Sequence, residues 1–190
     1  MAKRKKPSAK TVPEKKNRNT KAAVRDNKST KKTDGLNCLL LDIGGRKILL
    51  PKSTLNEVVS YQQPIPFENS PEWLLGSLEW KNWEVPVISF SNLSGVTSAS
   101  STRASHIAII KSLTDNREMP FLGLVIYAAP GKINIAESDL VEDHAAQPSL
   151  GVYSTVKVGK TSGVLIPDFD RLSQLAAHAA YGALPITQIR

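Results

Sequence analysis

The chain has a single cysteine, Cys38, in 190 residues. That excludes an internal disulfide and any cysteine-cluster zinc site. Histidine is nearly as scarce: His106, His144 and His178 lie far apart and share no ligand-like spacing. No stretch approaches the ~20 consecutive apolar residues that a membrane-spanning helix needs. The lysine-rich N-terminus has no apolar segment behind it of the kind that marks a secretory signal. These absences point to a soluble protein of a reducing compartment, most simply the cytoplasm, with no metal and no cofactor.

Acidic residues are few at one end only. Residues 1–34 carry 13 basic and 3 acidic side chains, and the remainder carries 12 and 14. The excess positive charge therefore belongs to a tail, assigned to residues 1–35, and the body is close to neutral. The tail also lacks aromatic residues and has little that is apolar beyond Val12 and Val24. Such a segment cannot bury enough surface to offset the entropy of ordering it, and disorder is expected. Two readings of it stand: contact with an acidic partner, nucleic acid or an anionic membrane face, or a solvated tether.

The composition changes at Leu36. The runs 36–43 and 46–50 flank Gly44-Gly45 and predict a β-hairpin, because glycine reaches the positive φ that tight turns require. A strand is expected over Leu55–Ser60, and the Pro64-Ile65-Pro66 segment must be extended. Pro71 to Gly76 reads as a turn, or one helical turn closed by glycine. Strands 77–80 and 83–88 flank Lys81-Asn82 as a second hairpin, with asparagine suited to the left-handed turn position. Ser89 to Ser94 reads as a short connection. A Ser/Thr-rich loop over 95–102 then divides the body. Beyond it, 106–110 and 121–127 are β-branched and aromatic and suit buried strands. Shorter strands are expected at 133–135, 151–158 and 163–166, and a helix over 168–181 behind an acidic first turn. The pattern is all-β and barrel-like in two halves, roughly 36–94 and 105–167.

The motifs that could carry chemistry fail on their surroundings. Gly159-Lys160-Thr161 resembles the end of a phosphate loop, but Ser154 stands where the first glycine belongs, and a strand follows instead of a helix. Asp168 and Asp170 fit helix capping better than a metal pair. There is no Gly-x-Ser-x-Gly elbow. Cys38 sits in an apolar run as a small core residue, and the histidines read as structural. Glu79 and Glu84, on opposite arms of the second hairpin, could pair with a nearby lysine. What is concentrated is tryptophan. Trp80 and Trp83 crowd one hairpin tip beside Lys81, with Trp73 just upstream as a core residue, and large amphipathic rings of this kind mark binding surfaces.

From Leu36 to about residue 184 the order of features resembles the CheW-like domain of bacterial chemosensory adaptors. The resemblance rests on Gly45-Arg46-Lys47-Ile48-Leu49-Leu50-Pro51, Leu55 to Val59, and the block from Pro71 through Leu78 to Trp83–Ile88. Phe121 to Val125 and Gly163 to Leu172 continue it. It implies two small five-stranded SH3-like barrels sharing a core, with a short C-terminal helix. It implies no enzymatic activity and no small-molecule substrate. The implied role is a bridge between chemoreceptor cytoplasmic tips and the same-fold regulatory domain of a histidine kinase, at membrane-associated arrays. Candidate partner-binding residues are Glu57 and Val58 on an early strand and Trp80, Lys81 and Asn82 on the hairpin. Two departures stand out. Glu79-Trp80-Lys81-Asn82 replaces the family's asparagine-leucine-arginine-glycine turn, and Ile126-Tyr127 replaces its usual Val-Asp. They resemble the accessory adaptor (ChpC type) of the system controlling type IV pili and twitching motility. A basic-tailed nucleic-acid-binding module is the alternative.

Overall fold

The computed structural model describes residues 35–96, 103–112 and 119–182. The basic tail up to residue 34, most of the Ser/Thr-rich loop (97–102) and the 115–118 connection lie outside the described residues. The described residues form eleven strands: β1 (Leu36–Asp42), β2 (Lys47–Pro51), β3 (Leu55–Ser60), β4 (Leu74–Trp80), β5 (Trp83–Ile88), β6 (His106–Lys111), β7 (Phe121–Ile126), β8 (Gly131–Ile135), β9 (Leu140–Glu142), β10 (Val152–Val158) and β11 (Thr161–Pro167). Two α-helices accompany them among the described residues, α1 (Phe90–Leu93) and α2 (Phe169–Tyr181), with single 3-10 turns at Lys52–Thr54 and Glu137–Asp139.

The strands make two sheets, one of six in the order β8-β1-β2-β11-β10-β9 and one of five in the order β3-β6-β7-β5-β4. The five-stranded sheet is drawn from the middle of the chain and the six-stranded sheet from both ends. The expected halves, 36–94 and 105–167, are therefore not the sheets. Apolar runs mark strands without stating which strands pair, and β1–β2 pairs with β8 and β11 rather than with its neighbour β3.

Three apolar clusters explain why so many strands are apolar on consecutive residues. The largest lies between the sheets and takes Leu39 and Leu41 of β1, Ile48 and Leu50 of β2, Ala108 and Ile110 of β6, and Leu122 and Leu124 of β7. The alternate residues face the other way. Cys38 and Leu49 join Ile135, Val156, Val158 and Val164 in a second cluster on the six-stranded sheet. Ile107, Ile109 and Val125 join Leu78, Val85 and Val87 in a third on the five-stranded sheet. Side chains alternate across a strand, so a strand covered on both faces must be apolar throughout. Leu172, Ala176 and Ala177 of α2 complete the shared core.

Local chemistry sets the turns. Gly44 and Gly45 take φ of 90° and 122°, and Asp42 accepts a 2.8 Å hydrogen bond from the Gly44 amide. Gly159 turns β10 into β11 with φ 56°, so the Gly-Lys-Thr run is a hairpin turn. Asp168 caps α2, accepting from the Arg171 amide at 2.9 Å. Ser89 likewise caps α1, a helical turn where a plain connection was expected.

Gly76 differs from its expected role. It closes no helical turn but sits in β4 beside a register shift, with φ 130°. A Cβ there would lie 2.1 Å from the Ile65 carbonyl oxygen, because the extended Pro64–Pro66 segment bridges Ser77 through two 2.8 Å backbone hydrogen bonds.

Candidate functional site

The type I′ turn between β4 and β5 holds two non-glycine residues in the left-handed region, Lys81 (φ 50°) and Asn82 (φ 65°). Asparagine tolerates this conformation; lysine does so at a cost of roughly 1–2 kcal/mol. Side-chain contacts hold Lys81 there. Its ammonium lies 2.8 Å from Glu57 Oε2 and 4.5 Å from the centroid of the Trp80 ring. The Trp80 indole Nε1–H donates to the same Oε2 at 3.0 Å.

Glu57 lies on β3 and Trp80 on β4, the two opposite edges of the five-stranded sheet. Their contact shows that the sheet curls until its edges meet, with the third cluster inside, and the Glu57–Trp80–Lys81 group staples the seam. Phe121 backs it, with its ring edge-to-face with Trp80 at 5.0 Å and with Trp83 at 5.8 Å. Trp80 is thereby held on its edge, its face and its nitrogen, while Trp83 remains 42% exposed. The hydrogen bonds from Lys81 and then Trp80 hold the Glu57 carboxyl below the ordinary carboxylate range. The group is a neutral, preorganised patch carrying an exposed cation and an exposed ring.

Of the five candidate contact residues, Glu57, Trp80 and Lys81 converge. Asn82 is exposed in the turn and supplies its backbone geometry. Val58 points away, half-buried against the core between the sheets. Glu84 accepts a hydrogen bond from Ser77 Oγ at 2.8 Å; the lysine ion pair expected of Glu79 or Glu84 is made by Glu57 instead. Phe121 was not among the candidates. Its strand was legible, but nothing local shows that its ring would meet the hairpin tip.

Other candidate chemistry is absent among the described residues. No group of three or more His, Cys, Asp or Glu could hold a metal ion. Cys38 is buried, and burial pushes its thiol pKa up, which suits a core residue and not a nucleophile. His106 Nδ1 lies 2.7 Å from Ser105 Oγ at the start of β6, and His178 is exposed on α2. No described helix is long and apolar enough to cross a membrane.

A family model described as "CheW-like domain" matches residues 37–177. None of the curated proteins compared matches the chain. Among solved structures, the chain is similar to the crystal structure of scaffolding protein TtCheW from Thermoanaerobacter tengcongensis. The TM-score is 0.55 and the identity 18%, over 70% of this chain and 82% of that one.

Proposed function

This chain belongs to the CheW-like domain family, and on that premise we propose that it is a non-catalytic adaptor of a bacterial chemosensory array. It joins the cytoplasmic tips of chemoreceptors to a histidine kinase, through the kinase's regulatory domain of the same fold. It works in the cytoplasm, at arrays held by membrane-anchored receptors. The observation that carries the reading is the exposed Glu57–Trp80–Lys81 staple at the seam of the five-stranded sheet. Two donors from adjacent residues converge on one carboxylate oxygen, where an arginine would bring both from a single planar fork. The altered turn thus keeps a fixed, charge-balanced surface by other means. That surface, with Ile126-Tyr127 at the end of β7, supports assignment to the accessory adaptor of the system controlling type IV pili and twitching motility.

Lys81→Glu tests the site. The lysine side chain is 66% exposed, and exposed ion pairs contribute little to stability, so thermal unfolding stays nearly unchanged. Capture of either the purified kinase regulatory domain or a receptor-tip fragment falls sharply. Full capture of both by the folded variant refutes the assignment.

A second reading, a basic-tailed nucleic-acid-binding module, is favoured only by the charge of residues 1–34. In the adaptor reading the tail instead contacts an acidic partner or an anionic surface. Gel retardation at low salt, lost on raising the salt and on deleting the tail, would support the nucleic-acid reading; no retarded complex removes it.

A further inference from the structure

The two smaller clusters are finished differently. The third is closed by the Trp80 and Phe121 rings, with Lys81 beside them and the Glu57 carboxylate accepting from both Trp80 and Lys81. The second contains no aromatic residue. A cavity of about 330 Å³ opens against it, walled by Leu36, Leu49, Ile135, Leu140 and Ile166. Its volume reaches the lower end of the range typical of ligand pockets, ~300 Å³. Glu137 is the one charged residue in the lining, and its carboxylate has no hydrogen-bond or ion-pair partner among the described residues. Leu36 at the rim is 59% exposed.

We propose that this cleft is a docking site for a tryptophan adjacent to a lysine or arginine, presented by another protein. The ring would cover the second cluster, and the base would meet Glu137. The partner would thus supply in trans what Trp80 and Lys81 supply to Glu57 in cis. Charge and shape both select this occupant. The exposed Glu137 carboxylate attracts a basic residue to the edge of the cleft, and the apolar walls favour a ring beside it. The cleft shares no residue with the Glu57–Trp80–Lys81 staple, so the inference stands apart from the adaptor assignment.

The probe is acetyl-Gly-Trp-Lys-Gly-amide, titrated into the full chain and followed by amide NMR. Saturable shifts are expected at Leu36, Ile135 and Leu140. The matched acetyl-Gly-Ser-Lys-Gly-amide should give none. Glu137→Lys, at an exposed position, should weaken the Trp-Lys peptide several-fold, and Leu36→Ser should do the same by thinning the rim. Lys81→Glu should leave peptide binding unchanged, which separates failure here from failure of the adaptor reading. Equal shifts with the serine peptide, shifts confined to other residues, or indifference to Glu137→Lys would overturn the proposal. So would concentration-dependent shifts at the cleft without peptide that vanish in Trp83→Ala, since a second copy would then be the occupant.

Discussion

Gly76→Ala should be among the most damaging single-methyl additions in the protein. The new Cβ would meet the Ile65 carbonyl oxygen at 2.1 Å and its carbon at 2.5 Å, both backbone atoms that cannot rotate away. Relief requires the Pro64–Pro66 segment to lift off β4, which breaks the two 2.8 Å hydrogen bonds between Ile65 and Ser77. Each contributes about 0.5–1.5 kcal/mol net. The φ of 130° adds strain of about 1–3 kcal/mol for a residue with a side chain. Together the loss is about 4 kcal/mol, or roughly 10 °C in Tm for a domain of this size. The internal control is Gly163→Ala, where φ is 69° but nothing lies within 4 Å of the new atom; it carries the strain without the collision. Urea unfolding of both variants separates the two effects. Similar losses in the two would refute the argument that close approach of the Ile65 segment is what demands glycine at position 76.

The Glu57 carboxyl is held below the ordinary carboxylate range when folded, so its contribution is complete above that range. It is lost as pH falls through the lowered folded value. The indole Nε1–H resonance of Trp80 should therefore hold its folded position through the range where free carboxylates titrate, then move at lower pH, and Glu57→Gln should abolish that step. Asp168→Ala removes the cap of α2 and should cost about 1 kcal/mol in denaturant unfolding. Cys38, 5% exposed with a raised thiol pKa, should resist alkylation in the native state and react fully in denaturant. Rapid native labelling would mean that the second cluster opens readily.

What the sequence made legible was local. The Gly44-Gly45 and Lys81-Asn82 turns announced their hairpins because glycine and asparagine accept positive φ by their own chemistry. Asp168 announced its cap for a similarly local reason. Sheet order was not legible, since a strand such as β1 is apolar on both faces and carries no mark of its neighbours. The strand β9 was missed because three residues, Leu140–Glu142, with two exposed, show no period. The site was half legible. Glu57, Trp80 and Lys81 were singled out one by one, but their meeting depends on the curl of a five-stranded sheet bringing its edges together. The role of Gly76 was hidden because the atom it makes room for belongs to Ile65.

The six-stranded sheet also dictates an order of events during synthesis. The hairpin of β1 and β2 leaves the ribosome early with apolar residues on both faces. Its partners β8 and β11 appear only after residues 131 and 161 have been made. The five-stranded sheet, drawn from residues 55–126, is made before either of them and offers the nascent hairpin a face on which to shelter its inward leucines. Its outward face, with Cys38 and Leu49, stays bare until the last strands arrive. A released chain truncated between residues 126 and 161 should therefore bind chaperones more strongly than the full chain.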